Sequence, residues 1–373
     1  MARRNGGARY NDAGKRRAGG TPFHRRHRRL LVVLVSVVLV IGLAGTGYAY
    51  MLNAKFRNID KVSTDTIKEE TRPDPDEGNA LNVLLLGSDK GKKVEGAAAK
   101  TTLEEDAAAA TWPDGKYRSD TLMIVHISAD RKHVYLVSIP RDTFTMLHDA
   151  TGAATHKEKI NGAFSYYGPN GAISTVENLT NLRMRHLAII DWEGFKDLST
   201  AVGGVTVNIP KTFRDPQQGI TWEAGEQKLE GNKALAYVRT RYGLPRGDFD
   251  RIARQQNFLR SLMKKVLARG TMTNPVRLNN TLEAITRNLT VDEAWEPGDM
   301  RGLALSLRST SAEDITFLTL PVAGTSTDPT YGSIVDIDEA KAAELFAALR
   351  DDDVERYVEK YPDDVLADET DIG

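Results

Sequence analysis

The stretch "DTLMIVHISADRKHVYLVSIPRD" (residues 120–142) contains two β-branched-rich apolar runs, 120–128 and 134–140, joined by "ADRKH". A connection of five residues is typical of a β-hairpin, so the stretch predicts two adjacent antiparallel strands. Asp120 immediately precedes the body of the first strand, and Arg141 and Asp142 immediately follow the second. Because an antiparallel hairpin brings its open ends together, these charged residues are expected on one rim of a sheet.

The apolar run before the hairpin, "NVLLLGSD" (82–89), contains a glycine near its end and is typical of a buried strand. If it runs parallel to the second hairpin strand, Asp89 joins the same rim, together with Arg118. Carboxylates crowded on one rim repel each other unless cations lie among them, and Mg²⁺ is commonly bound by one or two carboxylates plus phosphate oxygens. Each aspartate alone is more simply explained as a turn cap or a partner of an arginine. As a set, the aspartates favour a functional site.

The rest of the chain alternates between strand-like and helix-like segments. Apolar residues at helical spacing from Ile252 onward predict a helix, and "HLAIIDW" (186–192) and "DITFLTLPV" (314–322) predict further strands. This alternation predicts an α/β fold, a sheet layered with helices, in one domain at residues 80–350. The Ala-rich, charged segment 90–116 is expected to be a surface insertion loop with one short helix.

The segments outside this domain differ strongly in charge. Residues 1–29 carry ten basic residues against one acidic residue, which predicts a disordered cytoplasmic tail. Residues 30–52 are uncharged and apolar, long enough for one transmembrane helix, although a cleaved signal peptide is the alternative. Residues 53–79 are expected to be an extracytoplasmic linker. Residues 351–373, with ten acidic and two basic residues, are expected to be a solvated acidic tail.

Arginine is concentrated in "VRTRYGLPRGDFDRIARQQ" (238–256), which contains no lysine. If "YVRTR" is an extended strand, Arg239 and Arg241 face the same side. Three further side chains fall on one face of a helix near its N-terminus, with Asp248 or Asp250 as the N-cap: Arg251, Arg254 and Gln255. Arginine suits bidentate phosphate binding, whereas the alternative is a salt-bridged surface helix. Arg246 has no assigned role.

Several other chemistries are poorly supported. The chain has no cysteine, which excludes disulfides, thiol catalysis and thiolate metal sites. It has no P-loop, dinucleotide-binding, zinc-protease or nucleophile-elbow motif, and its seven histidines have no metal-ligand spacing. Aromatic residues do not alternate with basic ones, so a nucleic-acid platform is not expected.

Six blocks of this sequence, in order, resemble the signature blocks of the LytR–CpsA–Psr family. They are "NVLLLGSD", "YRSDTLMIVHIS", "VYLVSIPRDTF", "EKINGAFSYYGPNGA", "VGGVTVNIP" and "LEGNKALAYVRTRYGLPRGDFDRIARQQ". The resemblance implies an α-β-α layered domain with a central mixed sheet and a hydrophobic pocket for a prenyl chain. It also implies an extracytoplasmic phosphotransferase of bacterial cell wall assembly, preceded by a membrane anchor.

The resemblance assigns roles to individual positions. Asp89 and Asp120 would bind Mg²⁺ or Mn²⁺. Asp142 and Asp248 would orient arginines, and either could be a general base. The residues that would contact the lipid pyrophosphate are Arg118, Arg141, Arg239, Arg241, Arg251, Arg254 and Gln255. Lys159 and Asn161, at the "KIN" positions, would contribute to that site or hold its loop.

The activity that the resemblance implies is transfer of a glycopolymer, such as teichoic acid or arabinogalactan, from a polyprenyl-pyrophosphate carrier. The acceptor would be the 6-hydroxyl of N-acetylmuramic acid in peptidoglycan, and the product a phosphodiester. The alternatives are a polyprenyl-pyrophosphate phosphatase and a non-catalytic, membrane-tethered regulator that binds the anionic lipid. A binding module could use the arginines but would gain little from carboxylates crowded around a phosphate.

Overall fold

A computed structural model of the chain describes residues 54–76, 78–90, 101–109, 111–240, 248–272 and 274–368. The strands are β1 (Asp60–Val62), β2 (Leu81–Lys90), β3 (Tyr117–Ile127), β4 (Val134–Ile139), β5 (Phe144–His148), β6 (Ala154–Lys159), β7 (His186–Asp191), β8 (Val205–Ile209), β9 (Phe213–Asp215), β10 (Ile220–Trp222), β11 (Gly225–Leu229), β12 (Leu289–Asp292), β13 (Ile315–Thr319), β14 (Val322–Asp328) and β15 (Gly332–Ile337). The helices are α1 (Leu103–Ala108), α2 (Asn161–Thr180), α3 (Trp192–Ala201), α4 (Gly231–Arg239), α5 (Asp248–Leu267), α6 (Arg269–Met272), α7 (Pro275–Asn288), α8 (Pro297–Ser306), α9 (Glu339–Arg350) and α10 (Val354–Lys360).

The central sheet is mixed and has the strand order β1-β12-β7-β2-β3-β4-β13. β3 pairs with β4 in the predicted antiparallel hairpin, and β2 pairs antiparallel with β3. β2 therefore runs in the same direction as β4, and the ends of β2 and β4 and the start of β3 share one rim. The expected placement of Asp89, Asp120 and Arg141 at one end of the sheet is confirmed for the backbone.

The start of β3 contains a β-bulge. Gly87 pairs with Thr121 and Ser88 pairs with Ser119, so Asp120 is the additional residue on the β3 side. A bulge re-aims the side chains beside it. At this point β2 and β3 approach each other so closely that a Cβ atom on residue 87 would lie 2.9 Å from the Cβ of Thr121. Gly87 permits the approach because it has no Cβ.

Both faces of the sheet are covered by helices. On one face, Leu84, Leu86 and Leu122 pack against residues of α2 and α9 that include Phe164 and Leu345. On the other face lie Met123, Leu136 and Phe317, with partly buried residues of α5 and α8 packed against them. Side chains alternate along each strand, so consecutive residues of β2 and β3 supply the two apolar layers. This confirms an α/β fold with a central mixed sheet between helical layers.

A smaller cluster beside the sheet contains α3, α4, part of α5 and the two-stranded pairs β8–β11 and β9–β10. The prediction that "YVRTR" is an extended strand was wrong, because Arg239 ends the helix α4. Ala234, Tyr237 and Val238 are buried in this cluster at the i, i+3 and i+4 positions. Burial of that helical face outweighs the preference of tyrosine and valine for strands.

The segment predicted to be a linker, 53–79, contributes residues to the sheet and to the core of the domain. β1 pairs in parallel with β12 and extends the sheet. Ile67 lies in the core, and both Nε and Nη2 of Arg72 donate to the buried carboxylate of Glu177, at 2.9 and 2.5 Å. The polar composition of segment 53–79 is typical of a tether. Its few apolar residues and Arg72, however, contact residues that are distant in sequence.

The predicted acidic tail is also structured over residues 351–368. It contains α10, and the backbone amide of Leu366 donates to the carbonyl of Phe317 in the edge strand β13. In the predicted insertion, α1 confirms the expected short helix, and buried Asp106 accepts hydrogen bonds from Lys116 and, at 2.8 Å, from the hydroxyl of Tyr117. The predicted tail 1–29 and transmembrane helix 30–52 lie outside the described residues. Within the described ranges, no helix has the length and apolarity needed to cross a membrane.

Candidate active site

Arg141 is the centre of a charge cluster at the rim of the sheet. Its Nη1 donates to Oδ1 of Asp120 at 2.6 Å, and its Nε lies 3.4 Å from Oδ2 of Asp248 and 3.7 Å from Oδ1 of Asp142. Only 19% of its side chain is exposed. Burial alone would lower the pKa of Arg141, but the three carboxylates outweigh that effect and raise it. The guanidinium is therefore charged and held in one orientation.

Three separate elements supply the carboxylates of this cluster. Asp120 comes from the bulge in β3, Asp142 from the turn after β4, and Asp248 from the first residue of α5. The sheet register fixes the first two, whereas the third arrives only because α5 packs across the sheet. Asp142 and Asp248, which the resemblance assigns to orienting arginines, both lie within ion-pair distance of Arg141, and their role stays a prediction.

The "KIN" residues hold the turn that carries Arg141. Nζ of Lys159 lies 3.5 Å from Oδ1 of Asp142. The backbone amide of Asn161, at the start of α2, donates to the carbonyl of Arg141 at 3.2 Å, and that of Ile160 donates to Thr143 at 2.8 Å. Lys159 therefore adds a cation to the cluster, and the observed contribution of Asn161 is its backbone.

The predicted helical face on α5 divides between two environments. Nη2 of Arg251 donates to Oδ2 of Asp248 at 3.1 Å, so Arg251 joins the Arg141 cluster. Asp248 begins the helix, and Asp250 lies in its first turn. Gln255 accepts a hydrogen bond from the hydroxyl of Thr121 at 3.3 Å and donates to the carbonyl of Val238 at 3.3 Å. Gln255 therefore links α5 to the bulged strand and to α4.

Arg254 points away from this cluster. It is 2% exposed, and its guanidinium lies 3.9 Å from the ring centre of Phe213 and 5.7 Å from that of Tyr237. Burial lowers the pKa of Arg254, and the neighbouring Tyr237, Asp250 and Asp215 only partly offset this. Arg251 and Arg254 lie on one face of α5, as the helical spacing predicts. That face contacts the rim through Arg251 and the aromatic rings of Phe213 and Tyr237 through Arg254.

The remaining predicted residues are described to different extents. Asp89 pairs with Arg118 in the β2–β3 register, and Arg118 is exposed at the rim. The side chain of Asp89 and all of Arg241 lie outside the described residues, as does Arg246. Arg239 lies at the end of α4, where its guanidinium is 4.6 Å from the ring centre of Trp192.

Arg239 and Trp192 border a cavity of about 500 Å³ that sequence reasoning did not find. Ser88 and Tyr117, at the ends of β2 and β3, also line it, and α1 contributes Glu104. The available signal was Trp192, the last residue of the predicted strand 186–192. The composition of the insertion alone did not show that α1 would form a cavity wall.

Carboxylates at the rim have the chemistry of ligands for a hard divalent cation, but the cation that the resemblance implies stays a prediction. Asp120 and the backbone of Asp89 lie at the same end of the sheet, and carboxylate oxygens are the ligands that Mg²⁺ prefers. One oxygen of Asp120 is engaged by Arg141. Among the side chains that the structure describes, no group of three or more histidine, aspartate or glutamate residues is arranged to hold a metal.

Comparisons with known proteins identify similar chains and folds. A model of the LytR_cpsA_psr family matches residues 47–351. The cell wall biosynthesis protein LcpA of Corynebacterium glutamicum is 34% identical over 342 residues, which is 83% of this chain and 63% of that protein. This chain thus spans under two thirds of the length of LcpA. The polyisoprenyl-teichoic acid–peptidoglycan teichoic acid transferase TagU of Enterococcus faecalis is 30% identical over 76% of this chain and 84% of its own length.

Two solved structures share the fold. The LytR-Csp2A-Psr enzyme from Actinomyces oris has a TM-score of 0.57 at 20% identity and covers 78% of this chain and 96% of its own. TagT bound to LIIa-WTA has a TM-score of 0.52 at 21% identity and covers 74% of this chain and 91% of its own.

Proposed function

The chain belongs to the LytR–CpsA–Psr family, and from this membership we propose that it is a membrane-anchored transferase of the bacterial cell wall. In this proposal it moves a glycopolymer from a polyprenyl-pyrophosphate carrier to the 6-hydroxyl of N-acetylmuramic acid in peptidoglycan. Relatives named as teichoic acid–peptidoglycan transferases support the general role. The anchor would be residues 30–52, with the catalytic domain outside the cell.

The observation that carries the proposal is the fixed guanidinium of Arg141. Three carboxylates from three elements surround it, and one of them, Asp248, also pairs with Arg251. Preoriented arginines suit a pyrophosphate, because their planar donors match two phosphate oxygens and need little reorganisation on binding. The start of α5 adds the positive end of a helix dipole at the same rim.

Phosphoryl transfer depends mainly on in-line positioning and on charge neutralisation. In this proposal Arg141 and Arg251 hold the phosphate that is transferred, and Asp248 sets the angle between them. Asp142 or Asp248 accepts the proton of the acceptor hydroxyl. Both carboxylates lie beside Arg141, and their side chains are 20% and 33% exposed, so a substrate can reach them. A divalent cation held by Asp89 and Asp120 would offset charge on the departing prenyl phosphate.

Partly exposed apolar side chains between the sheet and the helices α5 and α8 suit the prenyl chain. Leu85 and Val125 belong to the central strands β2 and β3, yet both are only partly buried. The facing residues Leu259, Met263 and Leu303 are also only partly buried. Side chains at the centre of a covered sheet are ordinarily enclosed, so the partial exposure of these residues supports an apolar ligand in that layer.

The test is to incubate the full chain in detergent with Mg²⁺, a polyprenyl-pyrophosphate-linked glycan and peptidoglycan, followed by mass analysis of the product. A phosphodiester between the glycan and muramic acid is the expected result. Release of phosphate or phosphorylated glycan with no linkage to peptidoglycan would identify a phosphatase instead. Binding of the lipid without either product would identify a non-catalytic module.

A further inference from the structure

A group of aromatic side chains beside the candidate site has no part in the chemistry proposed above. It lies on the β5–β6 hairpin, the first turns of α2 and the β14–β15 turn. We call it the aromatic surface, and its members are Phe144, His156, Tyr166, Tyr167 and Tyr331. All five side chains are partly or fully exposed. Large aromatic residues grouped at a surface indicate a binding function more often than isolated ones do.

The rings are close enough to form one platform. The ring centres of Phe144 and Tyr331 are 6.0 Å apart, those of His156 and Tyr166 are 6.2 Å apart, and those of Tyr166 and Tyr167 are 6.1 Å apart. Phe144 pairs with Lys159 across the β5–β6 hairpin, and the adjacent Glu158 accepts a hydrogen bond from the Tyr166 hydroxyl at 3.3 Å. The Phe144–Tyr331 pair and the Tyr166 group therefore lie at the same end of that hairpin.

The aromatic surface is continuous with the Arg141 cluster. Phe144 pairs with Lys159 across the β5–β6 hairpin, and Nζ of Lys159 is 3.5 Å from Asp142. The β14–β15 hairpin is tied to the same turn, because the amide of Val335 donates to the carbonyl of Asp142 at 2.9 Å. A ligand lying on the rings would thus reach the residues that surround the transferred phosphate.

The polar groups around the rings favour a neutral, hydroxyl-rich ligand. Glu158 accepts a hydrogen bond from the Tyr166 hydroxyl at 3.3 Å and lies 3.2 Å from Nε2 of His156. The charged residues at the margins are nearly balanced in sign: Asp114, Glu158 and Asp328 against Lys157 and Lys159. A polyanion or a polycation would therefore gain little here. Sugar rings stack on aromatic faces and hydrogen-bond to carboxylates and hydroxyls at their edges.

We propose that the aromatic surface binds the glycan strand of the peptidoglycan acceptor and directs its hydroxyl towards Arg141. This inference rests on the proposed transferase function and assigns the acceptor side of that site. The prenyl-linked donor would occupy the opposite side, between the sheet and α5. The C-terminal end of the insertion borders the aromatic surface, because the amide of Gly115 donates to the carbonyl of Ser165 at 3.0 Å.

The experiment measures acceptor binding without turnover. The full chain in detergent, with a metal chelator and no donor, is titrated with peptide-free glycan strands of alternating N-acetylglucosamine and N-acetylmuramic acid. Tyr166→Ala and Tyr331→Ala are each expected to weaken binding about tenfold, the order of magnitude for loss of one aromatic contact. In the complete reaction, KM for the acceptor should rise by the same factor while KM for the lipid donor stays constant.

The matched control is Tyr361→Ala. Like Tyr166, Tyr361 donates its hydroxyl to a glutamate, Glu344, at 3.1 Å and has a tyrosine neighbour at 5.0 Å, but it belongs to the segment after α10. Its loss should not alter glycan affinity. Tyr331 occupies a turn, so its variant keeps the test informative if Tyr166→Ala does not fold.

The outcomes separate this inference from the proposed function. Unchanged glycan affinity in both aromatic variants overturns the inference even if the wild type is an active transferase. Loss of donor affinity alone, or a change only in self-association, also overturns it. Glycan binding that depends on Tyr166 and Tyr331 supports it even if no transfer occurs, in which case the proposed function fails by itself.

Discussion

At the scale of single residues, the site depends on how one arginine is held. Arg141 contacts Asp120 through Nη1, and its Nε faces both Asp142 and Asp248. The sequence placed the first two beside Arg141 because strand ends adjoin in a hairpin. The contact with Asp248 joins positions more than a hundred residues apart and required the packing of α5.

Arg141→Lys is therefore expected to lower kcat/KM about 10²-fold or more, because lysine keeps the charge but lacks the forked donors. The measurement is the rate of glycan transfer with fixed donor and acceptor. Arg183→Lys is the control, since Arg183 also pairs with a carboxylate, Glu69 at 2.7 Å, on another part of the domain. Near-wild-type activity of Arg141→Lys would show that charge alone is sufficient.

His148 gives a pH-dependent prediction. It is 9% exposed, and burial lowers its pKa below the ordinary value of 6.5, partly offset by the Met146 backbone and Asp149. The unfolded chain therefore takes up a proton near pH 6.5 that the folded chain resists, so stability falls as the pH drops below this value. His148→Gln should flatten the fall in Tm between about pH 7 and pH 5. His133 is more exposed, so His133→Gln should leave the dependence of Tm on pH unchanged. The same slope of Tm against pH in the wild type and both variants would contradict the prediction.

At the scale of elements, the bulge in β3 and the helix α4 decide the shape of the rim. The bulge turns Asp120 towards Arg141, and Thr121 beside it binds Gln255 of α5. The bulge is not visible in a hydrophobic pattern, because it needs only one extra residue. Likewise, α4 forms where a strand was predicted, since its apolar face is buried by residues that are distant in sequence.

Gly87→Ala is expected to destabilise the domain by about 1–3 kcal/mol, because the new Cβ would overlap Thr121 in the opposing strand. It should also reduce activity by shifting the contact between Thr121 and Gln255. Thermal unfolding and transfer rates measure the two effects. Gly302→Ala in α8 is the control: nothing lies within 4 Å of its added Cβ, so stability should rise by up to about 1 kcal/mol. A wild-type Tm for Gly87→Ala would refute the role of the close approach.

At the scale of the whole molecule, the folded unit extends beyond the predicted domain at both ends. Residues 54–76 add the edge strand β1 and place Arg72 against Glu177, whose carboxylate is fully buried. Residues 351–368 add α10 and a backbone contact to the opposite edge strand, β13. One edge of the sheet is therefore extended by the predicted linker, and the other edge is contacted by the predicted acidic tail.

Arg72→Met should lower the free energy of unfolding by about 3–5 kcal/mol, because it leaves Glu177 charged, buried and unpaired. Denaturant unfolding of residues 54–373 is the measurement. A chain that begins at residue 80 should be destabilised at least as strongly. The control Arg183→Met removes an ion pair whose glutamate is 71% exposed and should have a much smaller effect. Equal stability of the two lengths would mean that residues 54–79 are a linker after all.

The proposed topology can be tested because the chain has no cysteine. Ser326→Cys introduces one thiol at an exposed position of β14. If residues 30–52 anchor the chain with its catalytic domain outside, a membrane-impermeant maleimide should label this thiol in intact bacteria. Labelling only after lysis would contradict the proposed orientation.

The sequence by itself determined the central strands, their order around the hairpin and the charged residues at their ends. These features follow from local alternation and from chain connectivity, so the identities of Asp120, Arg141 and Asp142 as neighbours could be predicted. Helical spacing extended the prediction to Asp248 and Arg251, which lie on another element, and the family resemblance added Lys159.

Only the tertiary structure decided which charged residues meet and which do not. Arg251 joins the rim and Arg254 turns into an aromatic cluster, although both lie on one helical face. Arg239 ends a helix, and residues 54–76 belong to the fold. Each of these outcomes depends on burial against partners far away in sequence, and local patterns carry no information about partners that distant. The physical reason is that burial of shared apolar surface, rather than local preference, selects among the conformations that the sequence permits.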